Sequence, residues 1–267
     1  MSNYVHGYNV RESTRLQDQA NTLVELLHGD TIYPAGSTVL EAGCGVGAQT
    51  VTLAANSPHA HITSIDISTE SVAQAEQRVK AAGHTNVTFQ QGDIFALDFP
   101  DATFDHVFVC FVLEHLPEPA KALAALRRVL KPGGTMTVIE GDHGSTYFHP
   151  HSEAAHAAIQ CQVTLQRRAG GNANIGRELY PLLRAAGFAA PSVSPRMVYV
   201  DDSRPQFVEG FTKNTFTAMI EGVRETALGA GLLDAATFDA GVRDLYRTAA
   251  GGGVFCYTFF KAVAVAE

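Results

Sequence analysis

Apolar and polar positions alternate with two different periods along the first half of the chain. Short apolar runs suited to buried strands are separated by stretches whose apolar residues recur at helical spacing. The βαβα order of these segments predicts an α/β fold, with a parallel sheet covered by helices on both faces. The predicted strands are residues 38–42, 61–67, 87–90, 105–112 and 135–140, and the predicted helices are 46–56, a helix capped by Ser68 and closed by Gly83, and 117–130.

From His143 onward the rhythm changes. The pattern there predicts helices over residues 152–169 and 177–186, a strand over 192–200, and a last strand over 254–265. The pattern over residues 203–253 favours a helical insertion rather than a separate domain. An amphipathic helix within residues 1–30, closed by Gly29, precedes the first strand.

Composition and charge narrow the class of protein. Of the 267 residues, 46% are hydrophobic and 17% charged, which fits a folded domain and excludes a largely disordered chain. The 19 basic and 27 acidic side chains give a net charge of −8, which disfavours nucleic acid and anionic membranes as partners. Since we find neither a membrane span nor a secretory signal, we expect a cytoplasmic protein.

A glycine-rich segment, Glu41-Ala-Gly-Cys-Gly-Val-Gly47, lies between the first strand and the first core helix. Such a turn lets a ligand approach bare backbone amides at a helix N-terminus. Asp66, which ends the second strand, can accept hydrogen bonds from both hydroxyls of a ribose. The loop also satisfies the dinucleotide pattern through Gly43, Gly45 and Ala48, but Glu41 would oppose a pyrophosphate and favour a cationic ammonium or sulfonium.

These residues resemble the first motif of the class I S-adenosylmethionine-dependent methyltransferases, E/D-x-G-x-G-x-G. The resemblance continues in order through Asp66, Gly92-Asp93-Ile94, Phe104-Asp105-His106-Val107, Leu113-Glu114-His115-Leu116 and Leu130-Lys131-Pro132-Gly133-Gly134. It implies a Rossmann-like, mostly parallel seven-stranded sheet in the order 3-2-1-4-5-7-6, with an antiparallel last strand. Within the family, the sequence as a whole most resembles enzymes that act on small molecules, such as the quinone-biosynthesis methyltransferases.

The resemblance also implies a single domain, 1–267, in which different ranges of residues have different roles. Residues 1–30 would form a helix that covers the substrate, 36–142 the cofactor-binding core, and 143–253 a substrate or lid region that includes the insertion 203–253, followed by the last strand 254–265. The residues that it assigns to S-adenosylmethionine are Glu41, Gly43, Gly45, Gly47, Asp66, Ile67, Asp93, Ile94, Phe111 and Glu114.

The expected reaction is methyl transfer to an O, N, S or C atom of a small molecule. A hydroxyl acceptor would need a general base, for which His143 is our choice, with His115 and His149 as alternatives. The candidate substrate contacts are Tyr4, Tyr8, His143, Phe207 and Phe211, although the two phenylalanines also fit a buried core. The histidines match no compact metal-ligand spacing, so we expect no metal.

Two rival functions and the oligomeric state stay open at the level of sequence. A nicotinamide-dependent oxidoreductase would use the same glycine loop, but Glu41 and the Lys131-Pro132-Gly133-Gly134 turn argue against it. A non-catalytic protein that binds S-adenosylmethionine is the second rival, because fold does not fix function. A homo-oligomer is compatible with the sequence.

Overall fold

The structure, a computed structural model, describes residues 22–267, and these divide into two compact units. The sheet unit comprises Val24–Glu140, Ile175–Arg196 and Phe260–Glu267. The aromatic unit comprises Gly141–Asn174 and Met197–Phe259, together with residues 22 and 23. The expectation of a single domain with a helical insertion stays a prediction.

Seven strands form one sheet in the order β3-β2-β1-β4-β5-β7-β6, which confirms the predicted order. Neighbouring strands are parallel from β3 through β5. Strand β7 runs antiparallel to β5, since the start of β5 bonds to the end of β7 through Gly133 N–H to Ala266 O at 2.7 Å and Ala266 N–H to Gly134 O at 2.9 Å. The strands are β1 Thr38–Ala42, β2 His61–Asp66, β3 Val87–Gln91, β4 Phe104–Cys110, β5 Leu130–His149, β6 Ser192–Val200 and β7 Val254–Val265.

In the sheet unit, helix α3, Thr69–Ala81, begins at a side-chain cap, and helix α4, Pro119–Arg128, begins with a proline. Ser68 accepts a hydrogen bond from the Ser71 N–H at 3.2 Å, as predicted, and Pro119 occupies the first turn of α4. Arg127 and Arg128 lie in the last turn of α4, where cations are favourable. The helices are α1 (residues 22–28), α2 Ala48–Asn56, α3 Thr69–Ala81, α4 Pro119–Arg128 and α6 Leu179–Ala185, with single 3₁₀ turns at Ile94–Ala96, Leu113–His115 and Ile175–Glu178.

The core of the sheet unit explains why the strands read as apolar runs. Leu40, Ile65, Val107 and Val138 are all completely or almost completely buried, because parallel strands are covered on both faces. Burying each such side chain contributes about 1.5–3 kcal/mol. The core therefore fixes the register of the strands and the position of the loops at their carboxyl ends.

Most element boundaries differ from the prediction by one or two residues, and β5 is much longer, covering Leu130–His149 rather than 135–140. Helix α2 begins at Ala48 rather than residue 46, since Gly47 has φ +78° and cannot continue a right-handed helix. The predicted turn at residues 131–134 is an irregularity inside β5, because Phe104 pairs with Leu130 but His106 pairs with Thr135. The extra residues form a bulge, which the pairing of Gly133 and Gly134 with β7 holds within the sheet.

The aromatic unit packs helices around a cluster of aromatic rings. Phe211, Phe216, Phe255, Tyr257 and Phe259 are at most 2% exposed. Gly241 in α10 lies against the backbone of Ala154 in α5, where a side chain would not fit, so these two helices pack closely. The helices are α5 Glu153–Arg168, α7 Pro205–Phe207, a π-helix Val208–Thr217, α8 Ala218–Gly222, α9 Arg224–Gly229 and α10 Ala235–Arg247.

None of the helices within residues 22–267 has the length and apolar character that crossing a bilayer requires.

Candidate active site

The three glycines of the loop after β1 serve different purposes. A Cβ atom on Gly43 would lie 2.5 Å from Val112 Cγ2, and one on Gly47 would lie 2.8 Å from Ala75 Cα, so close packing requires both glycines. A Cβ atom on Gly45 would meet no atom within 4 Å. Gly45 therefore leaves an open approach to the backbone, as a ligand cradle requires.

Asp66 ties this loop to the end of β2. Its Oδ2 accepts a hydrogen bond from the Gly45 N–H and its Oδ1 accepts one from the Ser68 N–H, each at 2.9 Å. Because each carboxylate oxygen can accept two hydrogen bonds, Asp66 can still receive the two hydroxyls of a ribose. The predicted acid thus lies beside the open glycine.

Glu41 lies in the interior of the sheet unit, with only 2% of its surface exposed. Its Oε2 accepts hydrogen bonds from Thr50 Oγ1 at 2.8 Å and Ser64 Oγ at 2.6 Å. Burial raises the pKa of Glu41 from 4.5 to about 7, against the opposing effect of those two hydroxyls. The carboxyl therefore links β1, β2 and α2.

In the segment after β3, Asp93 caps a single 3₁₀ turn, because its Oδ1 accepts a hydrogen bond from the Phe95 N–H at 2.8 Å. Ile94 is 8% exposed and packs into the core. Ile67, which follows β2, is 54% exposed, and Phe95 is 41% exposed. Phe95 presents an exposed apolar ring and was not among the predicted site residues. Its position directly after Ile94, a predicted cofactor contact, could have indicated it.

The segment after β4 is fixed by hydrogen bonds to Glu140, a residue that was not among the predicted site residues. Phe111 adopts φ +57°, a strained value for a residue with a side chain, and such strain is typical of functional loops. Glu140 Oε1 accepts hydrogen bonds from the N–H groups of Val112 at 3.0 Å and Leu113 at 2.7 Å. Glu140 is completely buried, and burial together with the charge of Glu114 raises its pKa well above the usual range.

Glu114 and His115 follow directly in the same segment. Their side chains are 13% and 19% exposed, and Glu114 Oε1 lies 3.6 Å from His115 Nε2. Of the residues predicted to hold the cofactor, Glu41 lies within β1 and is buried, and Ile94 packs into the core. The others lie at or after the carboxyl ends of the parallel strands: Gly43, Gly45, Gly47, Asp66, Ile67, Asp93, Phe111 and Glu114.

The remaining candidates lie in the aromatic unit or outside the described residues. His143 is 7% exposed, and its Nδ1 lies 2.9 Å from the hydroxyl of Tyr257. His149 is exposed, Phe207 is half-buried, and Phe211 is packed among Phe255, Tyr257 and Phe259. Tyr4 and Tyr8 fall outside residues 22–267.

Among residues 22–267, no three His, Cys, Asp or Glu side chains are grouped closely enough to hold a metal ion.

A seven-stranded sheet of this order, with a glycine cradle after β1 and an acid after β2, defines a Rossmann-like nucleotide-binding protein. Residues 40–138 match the methyltransferase domain family. The 27-O-demethylrifamycin SV methyltransferase of Amycolatopsis mediterranei is 30% identical over 230 residues, which cover 85% of this chain and 78% of that protein. The chain belongs to the class I S-adenosylmethionine-dependent methyltransferase family.

Other relatives and a solved structure extend this comparison. An uncharacterized 37.1 kDa transposon protein of Streptomyces fradiae is 37% identical over 86% of this chain, which spans 63% of that protein's length. A demethylmenaquinone methyltransferase of Listeria welshimeri is 34% identical over 39% of this chain and 45% of its own. Phosphoethanolamine N-methyltransferase 2 of Haemonchus contortus, solved with S-adenosylhomocysteine, has a TM-score of 0.57 at 19% identity, covering 94% of this chain and 52% of that one.

Proposed function

We propose that this protein is an enzyme that transfers a methyl group from S-adenosylmethionine to a hydroxyl oxygen of a small molecule. The observation that carries the proposal is the pairing of Gly45, whose Cα faces open space, with Asp66, whose carboxylate lies beside it. An open backbone next to an acid suits a ligand that presents both a polar amino acid end and a ribose.

The residues of the sheet unit fit S-adenosylmethionine in three respects. The glycine loop leaves room for its methionine part, Asp66 offers acceptors to its ribose, and the exposed Ile67 and Phe95 offer apolar surface to its adenine. The field of Glu41 favours its cationic groups. When bound, S-adenosylmethionine supplies an electrophilic methyl group on a sulfonium.

The chain must align the acceptor and accept a proton. The acceptor oxygen forms a bond to the methyl carbon while the carbon–sulfur bond breaks and its electron pair stays on sulfur. The hydroxyl proton passes to a base, and we assign that role to His143, with His115 and His149 as the alternatives. Alignment of two bound reactants contributes up to about 7–11 kcal/mol to lowering the barrier.

A small-molecule hydroxyl is the acceptor that the observations favour. A relative that matches most of the chain is named for methylation at an oxygen of rifamycin. The net charge of −8 supports a metabolite rather than a nucleic acid. A cytoplasmic location and substrate contacts by Tyr4, Tyr8 and Phe207 are parts of the same proposal. Phe211, which is 1% exposed, would act by packing behind the substrate region rather than by contact.

Calorimetric titration tests the cofactor first. S-adenosylmethionine should bind the wild-type protein saturably and Asp66→Ala much more weakly, while NADH should not bind. Binding of NADH in place of S-adenosylmethionine would support an oxidoreductase instead.

An acceptor panel then tests the reaction. Phenols, naphthohydroquinones, polyketide alcohols, amines, thiols and a short RNA are each incubated with S-adenosylmethionine, and release of S-adenosylhomocysteine is measured. Turnover confined to hydroxyl compounds is the expected result. Turnover of amines or thiols alone, or a product of a hydroxyl compound that carries the new methyl group on carbon, would overturn the acceptor class. Donor binding without any turnover would favour a non-catalytic binding protein.

A further inference from the structure

A buried hydrogen bond joins two side chains of the aromatic unit. The hydroxyl oxygen of Tyr257, on β7, lies 2.9 Å from Nδ1 of His143, on β5. The two residues are 2% and 7% exposed. Because water competes little in such surroundings, the hydrogen bond is stronger than it would be at the surface.

The ring of Tyr257 is held in place by other aromatic rings. Its centroid lies 4.7 Å from that of Phe259, 5.5 Å from that of Phe216 and 5.8 Å from that of Phe211. These tilted and edge-to-face arrangements are the favourable geometries for aromatic pairs. Packing, rather than the hydrogen bond itself, therefore determines where the Tyr257 hydroxyl lies.

Space for this hydroxyl comes from Gly141, which precedes His143 in β5. A Cβ atom at Gly141 would press directly on the hydroxyl oxygen of Tyr257, closer than any van der Waals contact allows. A glycine inside a strand marks a place where another group approaches the backbone closely. Here that group is the Tyr257 hydroxyl.

The backbone of His143 is fixed on both sides. Its N–H donates to the carbonyl of Ala173 at 3.0 Å, and its carbonyl accepts from Thr146 Oγ1 at 2.6 Å. The imidazole ring also lies 5.9 Å, centroid to centroid, from Phe216. Backbone, packing and hydrogen bond all restrict the orientation of this one ring.

We propose that Tyr257 is a positioning residue for His143, an inference that rests on the proposed function. The hydroxyl oxygen of Tyr257 accepts a hydrogen bond from Nδ1–H, which selects the tautomer whose lone pair is on Nε2. The acceptor hydroxyl then gives its proton to Nε2, which is otherwise buried. The imidazolium that forms keeps its Nδ1–H on Tyr257 until the Nε2 proton passes to water that enters as the product leaves. A base oriented by a third group is a recurrent arrangement in enzymes.

The tautomer of His143 can be measured without any substrate. Long-range ¹H–¹⁵N NMR spectra of uniformly labelled wild-type protein are compared with those of His143→Gln, which identifies the His143 signals by their loss. The expected result is a neutral ring protonated on Nδ1. In Tyr257→Phe and in Gly141→Ala we expect the ring to shift toward protonation on Nε2, whereas Tyr199→Phe, an exposed tyrosine of the same unit, leaves it unchanged.

Kinetics supply a second readout with the hydroxyl compound that gives most turnover in the panel. Tyr257→Phe should lower kcat about tenfold with the acceptor KM unchanged, and His143→Gln should lower it at least ~100-fold, the usual scale of general-base catalysis. A wild-type ring protonated on Nε2, or a tautomer that Tyr257→Phe leaves unchanged, would overturn the positioning role. The expected tautomers without turnover on any acceptor would instead retain that role and refute the proposed function.

Discussion

Oδ2 of Asp66 accepts a hydrogen bond of 2.9 Å from the backbone N–H of Gly45, so the acid that ends β2 holds the one loop glycine that faces open space. The two residues are 21 positions apart in the sequence and meet because parallel strands β1 and β2 end at the same edge of the sheet. Asp66 therefore shapes the cradle and, in the proposed function, also contacts the ribose.

The first prediction follows from these two roles of Asp66. Asp66→Asn should weaken S-adenosylmethionine binding at least ~10-fold, because each lost hydrogen bond to a charged group is worth about 1.5–3 kcal/mol. Calorimetric titration gives the dissociation constant. Asp98→Asn, at an exposed carboxylate near Asp93, should bind like wild type. Equal affinity of Asp66→Asn and wild type would refute the assignment.

The second prediction separates packing from ligand binding among the loop glycines. Gly47→Ala should lower the free energy of unfolding by roughly 2–4 kcal/mol, because the strain of positive φ adds to a collision with Ala75. Gly45→Ala should cost only about 1–2 kcal/mol, the strain of φ +50° alone, yet abolish most donor binding. Urea unfolding and calorimetry measure the two effects.

Gly36→Ala is the matched control for the backbone strain that Gly45→Ala introduces. Gly36 has φ +78° and no atom within 4 Å of its virtual Cβ, but it lies outside the loop. We expect a stability loss similar to that of Gly45→Ala with donor binding intact. If Gly36→Ala weakened donor binding as much as Gly45→Ala, strain rather than lost access would explain the effect.

The strands and the glycine loop of the sheet unit could be predicted from sequence because each is specified by a short run of neighbouring residues. The run from Glu41 to Gly47 specifies a turn whose conformation needs glycine, and the register of β1, β2 and β4 follows from their apolar patterns. Glu41 was placed in the right segment, but its burial against Thr50 and Ser64 depends on contacts that no single segment encodes.

The aromatic unit was less predictable for the same reason. His143 and Tyr257 are 114 residues apart, and only the pairing of strands brings them together. The spacing of Phe211 and Phe216 fitted a buried helix face, and both are buried, but no periodicity indicates which rings meet. Glu140 was not assigned to the site because the backbone N–H groups that it binds, those of Val112 and Leu113, lie 28 and 27 positions away in the sequence.

The third prediction concerns a charged cluster that holds the end of α1. Lys261, 3% exposed, donates from Nζ to Asp30 Oδ1 at 2.5 Å, Thr31 Oγ1 at 2.6 Å and the Leu27 carbonyl at 3.2 Å. Burial alone would raise the pKa of Asp30, but its bonds to Lys261 and Arg196 outweigh this and hold it at about 2. Asp30→Asn should destabilise the fold by about 1–2 kcal/mol, less than a fully buried pair, because Asp30 is half-exposed.

The sign of the pH effect follows from the lowered pKa of Asp30. Since the pKa in the fold lies below the usual value of 3.8, the stability that Asp30 contributes is present above pH 4 and is lost as the pH falls toward 2. Urea unfolding between pH 5 and pH 2.5 should therefore show a shallower slope for Asp30→Asn than for wild type. Identical slopes would mean that the ion pair contributes nothing.

The fourth prediction is that S-adenosylmethionine binding releases a proton from Glu41. In the free protein, burial raises the pKa of Glu41 to about 7, so its carboxyl is mostly protonated at pH 6. A cationic ligand favours the ionised form and lowers that pKa, so donor affinity should rise from pH 6 to pH 8. Calorimetry at pH 6.5 in phosphate and in Tris, whose ionisation enthalpies differ, measures the protons released.

Glu41→Gln should abolish this release, because an amide has no proton to lose. Glu70→Gln, at an exposed position of α3, should retain it. In the protein without ligand, the raised pKa means that protonated Glu41 stabilises the fold below pH 4.5 and that this contribution is lost as the pH rises through 7. Glu41→Gln should therefore flatten the stability profile over this window, and a binding heat independent of the buffer would show instead that Glu41 does not sense the bound cation.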